Sequence, residues 1–361
     1  MTDLSLFLPE KLLPWYEQNK RDLPWRKTCD PYRVWISEIM LQQTRVEAVL
    51  GYYRRFLSAL PDIQALAAVE DDVLLKLWEG LGYYNRARNL KKAAQLIVSE
   101  HGGVFPKDYN AIRALPGIGP YTAGAIGSIC FGLPTPAVDG NVLRVFARLT
   151  ALEDSIDKDQ TKKAVTAALE QVYQTGHCAA LTQSLMELGA CVCLPNGAPK
   201  CALCPLQDDC LAYRNKSWTR FPVRCEKKGR RIEHRAVPVL RCGDRYAIRQ
   251  RPKTGLLAGL WEFPGELLSP EATDEFALQT ALKFAETAGA KPRELLRETG
   301  YVHIFTHIEW HMHVFLFECA AMPDCFTWAT KDELERTFAL PSAFRPCVEK
   351  LTAKDESLTT S

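Results

Sequence analysis

Apolar residues recur at helical spacing through most of the first 220 positions. The longest run, Val34–Leu60, places apolar side chains mostly three and four positions apart, which predicts one long amphipathic helix. Shorter segments separated by Pro, Gly and Asp each predict a short helix: Asp71–Leu81, Arg86–Ser99, Thr122–Ile129, Gly140–Leu149 and Thr161–Tyr173. Because no single period repeats along these segments, the pattern predicts a globular helical assembly and not a solenoid.

The helical spacing of apolar residues ends after Cys210. Segment 224–235 holds six basic and two acidic residues with few apolar ones, so it predicts a linker with a net charge of +4. Short strands are predicted beyond it at Ala236–Arg241, Arg245–Arg251, Tyr301–Phe305 and His311–Phe317, with helices at Asp274–Ala288 and Lys331–Phe338. We therefore expect a second domain of the α+β class that is smaller than the first.

Length and composition narrow the class of protein. With 361 residues, 47% of them hydrophobic and 24% charged, the chain suits two packed domains and does not resemble a disordered protein. A net charge of +2 gives by itself no support to a nucleic-acid partner.

Met1–Lys20 carries Asp3 and Pro9 where a signal peptide needs a basic start and an unbroken apolar run. No segment reaches the roughly 18 apolar residues of a membrane span. We therefore expect a cytoplasmic protein with reduced thiols and no membrane partner.

Five of the 13 cysteines fall between residues 191 and 210. Two residues separate Cys201 from Cys204, five separate Cys204 from Cys210, and seven separate Cys193 from Cys201. Four thiolates can close either a zinc site or an iron–sulfur cluster, and the spacing alone does not distinguish the two. Cys191 is expected to pack, because it precedes Cys193 by two positions and would face away.

A Gly-x-Gly turn, with Gly117 and Gly119, joins two predicted helices. Such a turn exposes successive backbone N–H groups at the start of the following helix, where the helix dipole also favours an anion. A DNA phosphate is a suitable ligand, because backbone contact positions a duplex without reading its sequence. A plain corner between two helices explains the same residues equally well.

Two carboxylates could form a catalytic pair. Glu38 lies in the longest predicted helix among apolar neighbours at helical spacing. If that face is inward, burial raises the pKa of Glu38 and makes it a general acid, whereas a Glu on a helix edge would have no such role. Asp139 directly precedes a predicted helix, so we expect it to cap that helix and to stay ionised through the helix dipole. An acid beside an anion is the pattern of glycosidic bond cleavage.

Along the chain the motifs follow one order: the helix with Glu38, the Gly-x-Gly hairpin, Asp139 and then the four cysteines. This arrangement resembles that of the helix-hairpin-helix, iron–sulfur DNA glycosylases, and within them the MutY-type adenine glycosylases. The resemblance covers about residues 10–350, and the hairpin, the cysteines and four segments carry it: Leu23–Arg26, Pro31–Thr44, Gly80–Tyr84 and Val138–Asn141. It implies a [4Fe–4S] cluster on Cys193, Cys201, Cys204 and Cys210. It also implies a monomer, nucleoid-associated if bacterial, that removes adenine paired with 8-oxoguanine or guanine in double-stranded DNA.

The resemblance also implies individual roles. Glu38 would protonate the adenine ring and Asp139 would stabilise the oxocarbenium-like sugar, while Asn141 and Tyr121 would orient them. Tyr121 occupies the slot that holds a Schiff-base lysine in bifunctional relatives, so a monofunctional glycosylase is expected. The residues that the resemblance assigns to DNA contact in the first 223 positions are Arg26, Gln43, Leu81, Tyr83, Gly117 and Gly119.

The C-terminal region resembles the Nudix-like module of the same family. Gly259–Gly265 matches its signature turn, but Asp274–Ala288 lacks the Arg-Glu-x-x-Glu-Glu pattern that holds magnesium in Nudix hydrolases, so binding is expected and hydrolysis is not. Phe305, Thr306 and His307 occupy the loop that senses oxidised guanine, where the family usually has Phe-Ser-His. The seven-residue gap between Cys193 and Cys201 is a second departure, because the family commonly has six.

The expected fold is multidomain, with an all-α glycosylase domain that holds an iron–sulfur cluster and an α+β Nudix-like domain. Its expected parts are a catalytic domain at 1–223 (a six-helix part at 29–134, a cluster part at 1–28 and 135–223), a linker at 224–235, a lesion-recognition domain at 236–350 and a tail at 351–361. Three other interpretations stay open: an iron–sulfur DNA-binding or electron-transfer protein without catalysis, a glycosylase–lyase of the endonuclease III type, and a Nudix hydrolase.

Overall fold

The computed structural model describes residues 4–226 and 229–351. Lys227 and Lys228 of the predicted linker and residues 352–361 of the predicted tail therefore lie outside the described residues. Contacts divide the chain into two compact units: unit 1 is Met1–Val69 with Arg88–Glu226, and unit 2 is Glu70–Ala87 with Lys227–Ser361. Among the residues described, no helix combines the length and the apolar character that crossing a membrane requires.

The chain is helical from its first described residue to about residue 220. The helices are α1 Leu4–Asn19, α2 Pro31–Leu41, α3 Val46–Ala59, α4 Ile63–Ala68, α5 Asp71–Leu77, α6 Asn85–His101, α7 Tyr109–Ala114, α8 Pro120–Phe131, α9 Gly140–Thr150, α10 Asp159–Tyr173, α11 Cys178–Cys191 and α12 Leu211–Arg214. Short 3-10 turns lie at Pro24–Arg26, Cys201–Leu203 and Trp218–Arg220. Helix α5 and the first residues of α6 belong to unit 2, and the other helices of this set belong to unit 1.

Aspartates begin several of these helices. Asp30, Asp62, Asp108 and Asp139 each accept a hydrogen bond from a backbone N–H in the first turn of α2, α4, α7 and α9. Such a cap satisfies a donor that the helix itself leaves unpaired and contributes about 1 kcal/mol. The cap that the sequence predicts for Asp139 is confirmed.

The segment Val34–Leu60, predicted as one helix, is two helices in the structure. Helix α2 ends at Leu41 and α3 begins at Val46, and Gln43 between them has a φ of 62°, in the left-handed region. Neither Gly nor Pro marks the break, and apolar residues recur at helical spacing on both sides of it. For that reason periodicity alone does not reveal the interruption, and the prediction of a single helix is wrong.

The largest core cluster of unit 1 forms around α1, α9, α10 and α11. Leu12, Val172, Leu181 and Ala147 are fully buried there, with apolar side chains from the cysteine-rich segment packed against them. A smaller cluster lies between α2 and α8, around Val34 and Ala125. Both clusters position the start of α9, where Asp139 lies.

Unit 2 is built on a seven-stranded sheet. Its strands are β1 Arg231–Cys242, β2 Arg245–Gln250, β3 Trp261–Glu262, β4 Glu266–Leu268, β5 Pro292–Ile304, β6 Ile308–Cys319 and β7 Thr327–Thr330. The main order is β3-β2-β1-β6-β5, while β4 pairs with β1 and β7 pairs with β2. Only the β1–β6 pair is parallel among these described strands, so the sheet is mixed.

Helices cover the sheet on both faces. Helix α13, Asp274–Thr287, packs its Ala277, Ala281 and Ala285 against one face, and α14, Lys331–Arg336, contributes Leu334 to the cluster on the other face. A 3-10 turn, Ser342–Phe344, and a short π-helix, Cys347–Leu351, lie near the C-terminal end of the described chain. Small alanines bring α13 close to the strands.

Several predicted bounds in unit 2 differ from the structure. Strand β1 begins at Arg231, so its first five residues fall inside the segment predicted as a linker, because they pair in parallel with Ile308–Met312 of β6. Strand β5 is longer than the predicted Tyr301–Phe305. The short strands β3, β4 and β7 were not predicted, since two to four residues are too few to show an alternating pattern.

Candidate active site

Helix α2 buries Glu38, which is 5% exposed. The phenol of Tyr121, on the first turn of α8, donates a hydrogen bond to Glu38 Oε2. Burial raises the pKa of Glu38 to about 7, and nearby Asp139 raises it further, while the Tyr121 hydrogen bond opposes the shift. The inward face that would make Glu38 an acid is therefore present, and near neutral pH this carboxyl holds its proton for much of the time.

Asp139 lies at the N-terminus of α9, and each oxygen of its carboxylate accepts a hydrogen bond. Its Oδ1 accepts from the Val142 N–H at 2.8 Å, and its Oδ2 accepts from Asn141 Nδ2 at 2.8 Å. Burial raises the pKa of Asp139, and these hydrogen bonds and the charge of Arg144 oppose the increase. The shift is upward, against the expectation from the helix dipole alone. Asp139 accepts these two hydrogen bonds within α9, whereas Glu38 accepts one from Tyr121, so the two carboxyls have different surroundings in one site.

An open cavity of about 880 Å³ joins the two carboxyls. This volume falls in the range of roughly 300–1,000 Å³ that is common for ligand sites. Glu38, Tyr121, Asp139 and Asn141 line it, as do Arg26 and Gln43 of the predicted DNA contacts. The structure thus brings the four residues predicted to be catalytic to one cavity within unit 1.

Arg144 is a part of this site that sequence reasoning missed. Arg144 is 4% exposed, and its guanidinium donates to Asn141 Oδ1 at 2.8 Å, to the Gly189 carbonyl at 2.8 Å and to the Cys193 carbonyl at 2.7 Å. Gly189 leaves the room for this contact, because a Cβ there would lie 2.5 Å from Asn141 Cβ. The signal in the sequence is a pair of arginines, Arg144 and Arg148, on the otherwise apolar inward face of α9.

Arg26 has an internal partner. Its guanidinium donates to Glu187 at 2.6 Å, and Arg21 donates to the same carboxylate at 2.7 Å. Burial alone would raise the pKa of Glu187, but the hydrogen bonds from Arg21 and Arg26 outweigh it and hold that pKa at about 2. Arg26 therefore contributes to the cavity wall mainly as part of a buried ion-pair cluster, which sequence reasoning also missed.

The predicted Gly-x-Gly hairpin joins α7 to α8. Gly117 has a φ of 76°, and a Cβ there would lie 2.6 Å from Asn89 Cβ, so both its conformation and its packing require glycine. Gly119 is the N-cap of α8, which has no side-chain cap, and nothing lies within 4 Å of where its Cβ would be. The start of α8 is therefore accessible to an anion.

The four predicted cysteine ligands line one small cavity of unit 1. Cys193, Cys201, Cys204 and Cys210 share it with apolar residues of α9 and α11. Buried Arg148 donates to Cys193 Sγ at 3.3 Å, and Cys210 Sγ donates to the Arg148 carbonyl at 3.4 Å. Cys191 is not part of this wall; it packs at the end of α11. Among residues 4–226 and 229–351, no three His, Cys, Asp or Glu side chains are arranged to hold a single metal ion.

The loop between Cys193 and Cys201 accommodates its extra residue at the surface. Residues 195–198 are exposed, Gly197 has a φ of 72°, and the Lys200 N–H closes the loop onto the Val192 carbonyl at 2.9 Å. The bulge therefore leaves Cys193 among the residues that line the cavity.

In unit 2, the segment that carries Tyr83 lies beside the predicted lesion loop. Tyr83 is 49% exposed with a φ of 47°, and its hydroxyl shares a hydrogen bond with Thr306 Oγ1. Leu81, predicted to contact DNA, is only 5% exposed. Arg86, not predicted, donates to the Leu81 carbonyl at 2.8 Å and lies over the ring of Tyr83 at 5.6 Å, so it holds this turn in place.

The loop Phe305–His307 connects β5 to β6. The ring of Phe305 packs edge-on against Trp310 at 4.9 Å, and the Phe305 N–H donates to the Ile308 carbonyl at 2.8 Å. Thr306 and His307 are exposed at the tip. One anchored aromatic and two exposed polar side chains form a surface that can contact a ligand without rearranging the sheet.

Comparison with known proteins agrees with these features. The chain matches the HhH-GPD superfamily of base excision DNA repair proteins over residues 36–172 and a NUDIX domain over residues 236–350. It is 34% identical to a human adenine DNA glycosylase over 92% of this chain and 72% of that protein, and 32% identical to one from Schizosaccharomyces pombe over 90% and 85%. An adenine DNA glycosylase from Arabidopsis thaliana is 37% identical over 90% of this chain, which spans 59% of that relative's length.

Solved structures resemble the helical part. A thermostable thymine-DNA glycosylase shares 29% identity with a TM-score of 0.54, covering 59% of this chain and 97% of that one. An endonuclease III trapped on DNA, at 23% identity and a TM-score of 0.50, shares the fold over 59% of this chain and 98% of its own.

Proposed function

The chain belongs to the adenine DNA glycosylase family, whose members hydrolyse N-glycosyl bonds, and from that premise we propose that it removes adenine mispaired with 8-oxoguanine or guanine in double-stranded DNA. The observation that carries the proposal is the buried Glu38, whose pKa is raised to about 7, in a cavity beside Asp139. A neutral acid next to an anion is what cleavage of a glycosidic bond to a poor leaving group requires.

In the proposed reaction, an adenine flipped out of the duplex enters the cavity. Glu38 transfers its proton to the adenine ring as the bond between that ring and the deoxyribose breaks, so the base leaves neutral. The sugar then carries the positive charge. Asp139 stabilises this cation until the oxygen of a water molecule bonds to the sugar carbon, and the proton that the water releases restores the acid.

Tyr121 and Asn141 position the two carboxyls. Tyr121 donates to Glu38, and Asn141 donates to Asp139 while accepting from Arg144. The phenol of Tyr121 cannot form an imine with the sugar, so we propose a monofunctional enzyme that leaves an abasic site. Backbone N–H groups near Gly119 would hold a phosphate of the strand.

We further propose a [4Fe–4S] cluster on Cys193, Cys201, Cys204 and Cys210. Their common cavity and the Arg148 donor to Cys193 fit sulfur ligands of this kind. When bound, the cluster would cross-link the cysteine loop. Cys204→Ser should lose most of the bound iron, whereas Cys191→Ser should keep it, and iron analysis of the purified chains measures both. Equal iron in the two variants would reject this ligand set.

For the opposing base we propose that Phe305, Thr306 and His307, together with Tyr83, contact the oxidised guanine. The hydrogen bond between Tyr83 and Thr306 supports the idea that the two segments act together. Gln43, exposed and held in a left-handed conformation, would enter the base stack beside the extruded adenine.

The function is tested by single-turnover adenine release from duplexes that differ only in the base opposite adenine. We expect the fastest release opposite 8-oxoguanine, slower release opposite guanine, and little opposite thymine. Release of thymine or of oxidised pyrimidines, or a covalent adduct trapped by borohydride, would point instead to another glycosylase activity.

A further inference from the structure

Segment 70–87 lies within the residues that match the HhH-GPD superfamily, yet its contacts place it with the C-terminal residues in unit 2. It comprises α5, the turn that carries Tyr83 and the start of α6. The proposed function uses Tyr83 to contact the base opposite adenine. That role requires a fixed position of Tyr83 beside the loop Phe305–His307.

Two side chains near the C-terminal end of α5 attach this segment to the C-terminal residues of unit 2. Lys76 Nζ donates to the Phe338 carbonyl at 3.0 Å, and Glu79 Oε1 accepts from the Leu340 N–H at 3.1 Å. Lys76 Nζ also lies 2.6 Å from Glu79 Oε2, so each side chain orients the other. Because these side chains are only 20% and 16% exposed, solvent screens their ion pair less than it screens a pair on the open surface.

Internal hydrogen bonds hold the turn between Glu79 and Tyr83. Trp78 is fully buried, and its Nε1 donates to the Gly82 carbonyl at 3.1 Å. The Leu81 N–H donates to the Trp78 carbonyl, also at 3.1 Å. Because these bonds span the turn and a packed interior transmits strain, a displacement of Glu79 should displace Tyr83 as well.

The partners of segment 70–87 belong to one apolar cluster of unit 2. Leu340 is buried in this cluster together with Trp310, and the ring of Phe305 packs against Trp310 at 4.9 Å. Thr306, which shares a hydrogen bond with the Tyr83 hydroxyl, directly follows Phe305. The segment is therefore attached to the same packed part of unit 2 on both sides of its turn.

We propose that Lys76 and Glu79 are positioning residues that hold Tyr83 beside Thr306 and thereby set the preference for 8-oxoguanine over guanine. This inference rests on the proposed function, in which Tyr83 and the loop Phe305–His307 contact the opposing base. Attachment on both sides of the turn fixes Tyr83 before DNA binds, so less conformational freedom is lost on binding. Neither Lys76 nor Glu79 lines the catalytic cavity, so the rate opposite guanine should change little.

The experiment measures single-turnover adenine release by the full chain, at saturating enzyme, opposite 8-oxoguanine and opposite guanine. The ratio of the two rate constants does not depend on the active fraction, so incomplete folding of a variant does not alter it. Glu79→Ala removes the acceptor of the Leu340 N–H and should lower the ratio about fivefold. Lys76→Met should lower it similarly, whereas Glu79→Gln keeps an acceptor oxygen and should retain most of the ratio.

The matched control is Glu70→Ala on the same segment. Glu70 is the exposed N-cap residue of α5 and makes no side-chain capping bond, so its removal should leave the ratio unchanged. An equal fall in Glu70→Ala and Glu79→Ala, or an unchanged ratio in Glu79→Ala, would overturn the proposal.

A double substitution separates positioning of Tyr83 from a general effect on unit 2. Tyr83→Phe removes the hydroxyl that bonds to Thr306, so in that background Glu79→Ala should lower the ratio by less than about twofold. The same fold-change with and without the Tyr83 hydroxyl would contradict action through Tyr83. A lack of 8-oxoguanine preference in the unsubstituted chain would instead contradict the proposed function, and this inference with it.

Discussion

The cavity of Glu38 and the loop of Thr306 are built in opposite ways. Glu38 is 5% exposed, accepts a hydrogen bond from Tyr121, and has its pKa raised by burial. Thr306 and His307 are exposed, and Tyr83, the hydrogen-bond partner of Thr306, is 49% exposed. A carboxyl that is to donate a proton near neutral pH needs a raised pKa, which burial supplies for Glu38, whereas reading an opposing base needs side chains that reach solvent.

Because the cavity of Glu38 and the loop of Thr306 differ in this way, we expect substitutions in the two regions to change different kinetic quantities. A change at the buried pair should reduce the rate on every substrate, because the chemical step is the same whatever base lies opposite adenine. A change at the exposed loop should alter the ratio between substrates, because only the opposing base differs between them.

Among substitutions other than those of Glu38 itself, a change at Asp139 should slow adenine release the most. Asp139→Asn keeps a side-chain oxygen that can cap α9 but removes the negative charge that would stabilise the sugar cation. We expect single-turnover adenine release to fall by about 10²–10³-fold on both 8-oxoguanine and guanine duplexes. Asp108→Asn, at the N-cap of α7, is the matched control and should leave the rate unchanged. An unchanged rate in Asp139→Asn would contradict a role for its charge, and an equal fall in both variants would mean that the effect is not specific to this site.

The next effect is the pH dependence of the chemical step. The pKa of Glu38 is raised to about 7, so the carboxyl is protonated below that pH and loses its proton above it. Single-turnover release should therefore fall about tenfold per unit as pH rises beyond about 7. A rate that stays constant between pH 6 and 9 on a fully bound substrate would contradict the assignment of Glu38 as the acid.

The smallest effect, and the most selective, is expected at the exposed loop. Replacing Thr306 and His307 together with Ala should lower the preference for 8-oxoguanine over guanine by about 30-fold, since each of the two lost contacts contributes about 1 kcal/mol and every 1.4 kcal/mol is a factor of about ten. The rate opposite guanine should change little. Thr254→Ala, at another exposed position of unit 2, serves as the control. Equal loss on both duplexes would mean that the loop supplies general affinity only.

Much of the fold could be predicted because most of its helices and longer strands bury one face, and the apolar residues of that face recur at regular spacing. Helices α8, α9 and α10 and strands β1, β2 and β6 occur where the pattern of apolar residues predicted them. The break at Gln43 could not be predicted, since a left-handed glutamine between two apolar runs has no compositional signal. The start of β1 at Arg231 depends on pairing with β6, a contact distant in sequence.

The same limit applies to the candidate site. Burial of Glu38 and the capping position of Asp139 follow from their places in local elements, so the sequence indicates both. The hydrogen bonds of Arg144 to the Gly189 and Cys193 carbonyls and those of Glu187 to Arg26 join segments that are far apart along the chain, so they exist only once those segments have packed. Local patterns therefore predict which residues are buried but not which partners they meet.

The central claim is that Glu38 acts as the acid that releases adenine. Its most direct test compares Glu38→Gln with the unsubstituted chain in single-turnover adenine release and in binding to the 8-oxoguanine mispair, with the exposed Glu100→Gln as control. We predict that Glu38→Gln keeps mispair affinity within a few-fold and slows release by about 10³–10⁴-fold, since a glutamine of similar size has no proton to transfer. Unchanged release by Glu38→Gln would contradict the account.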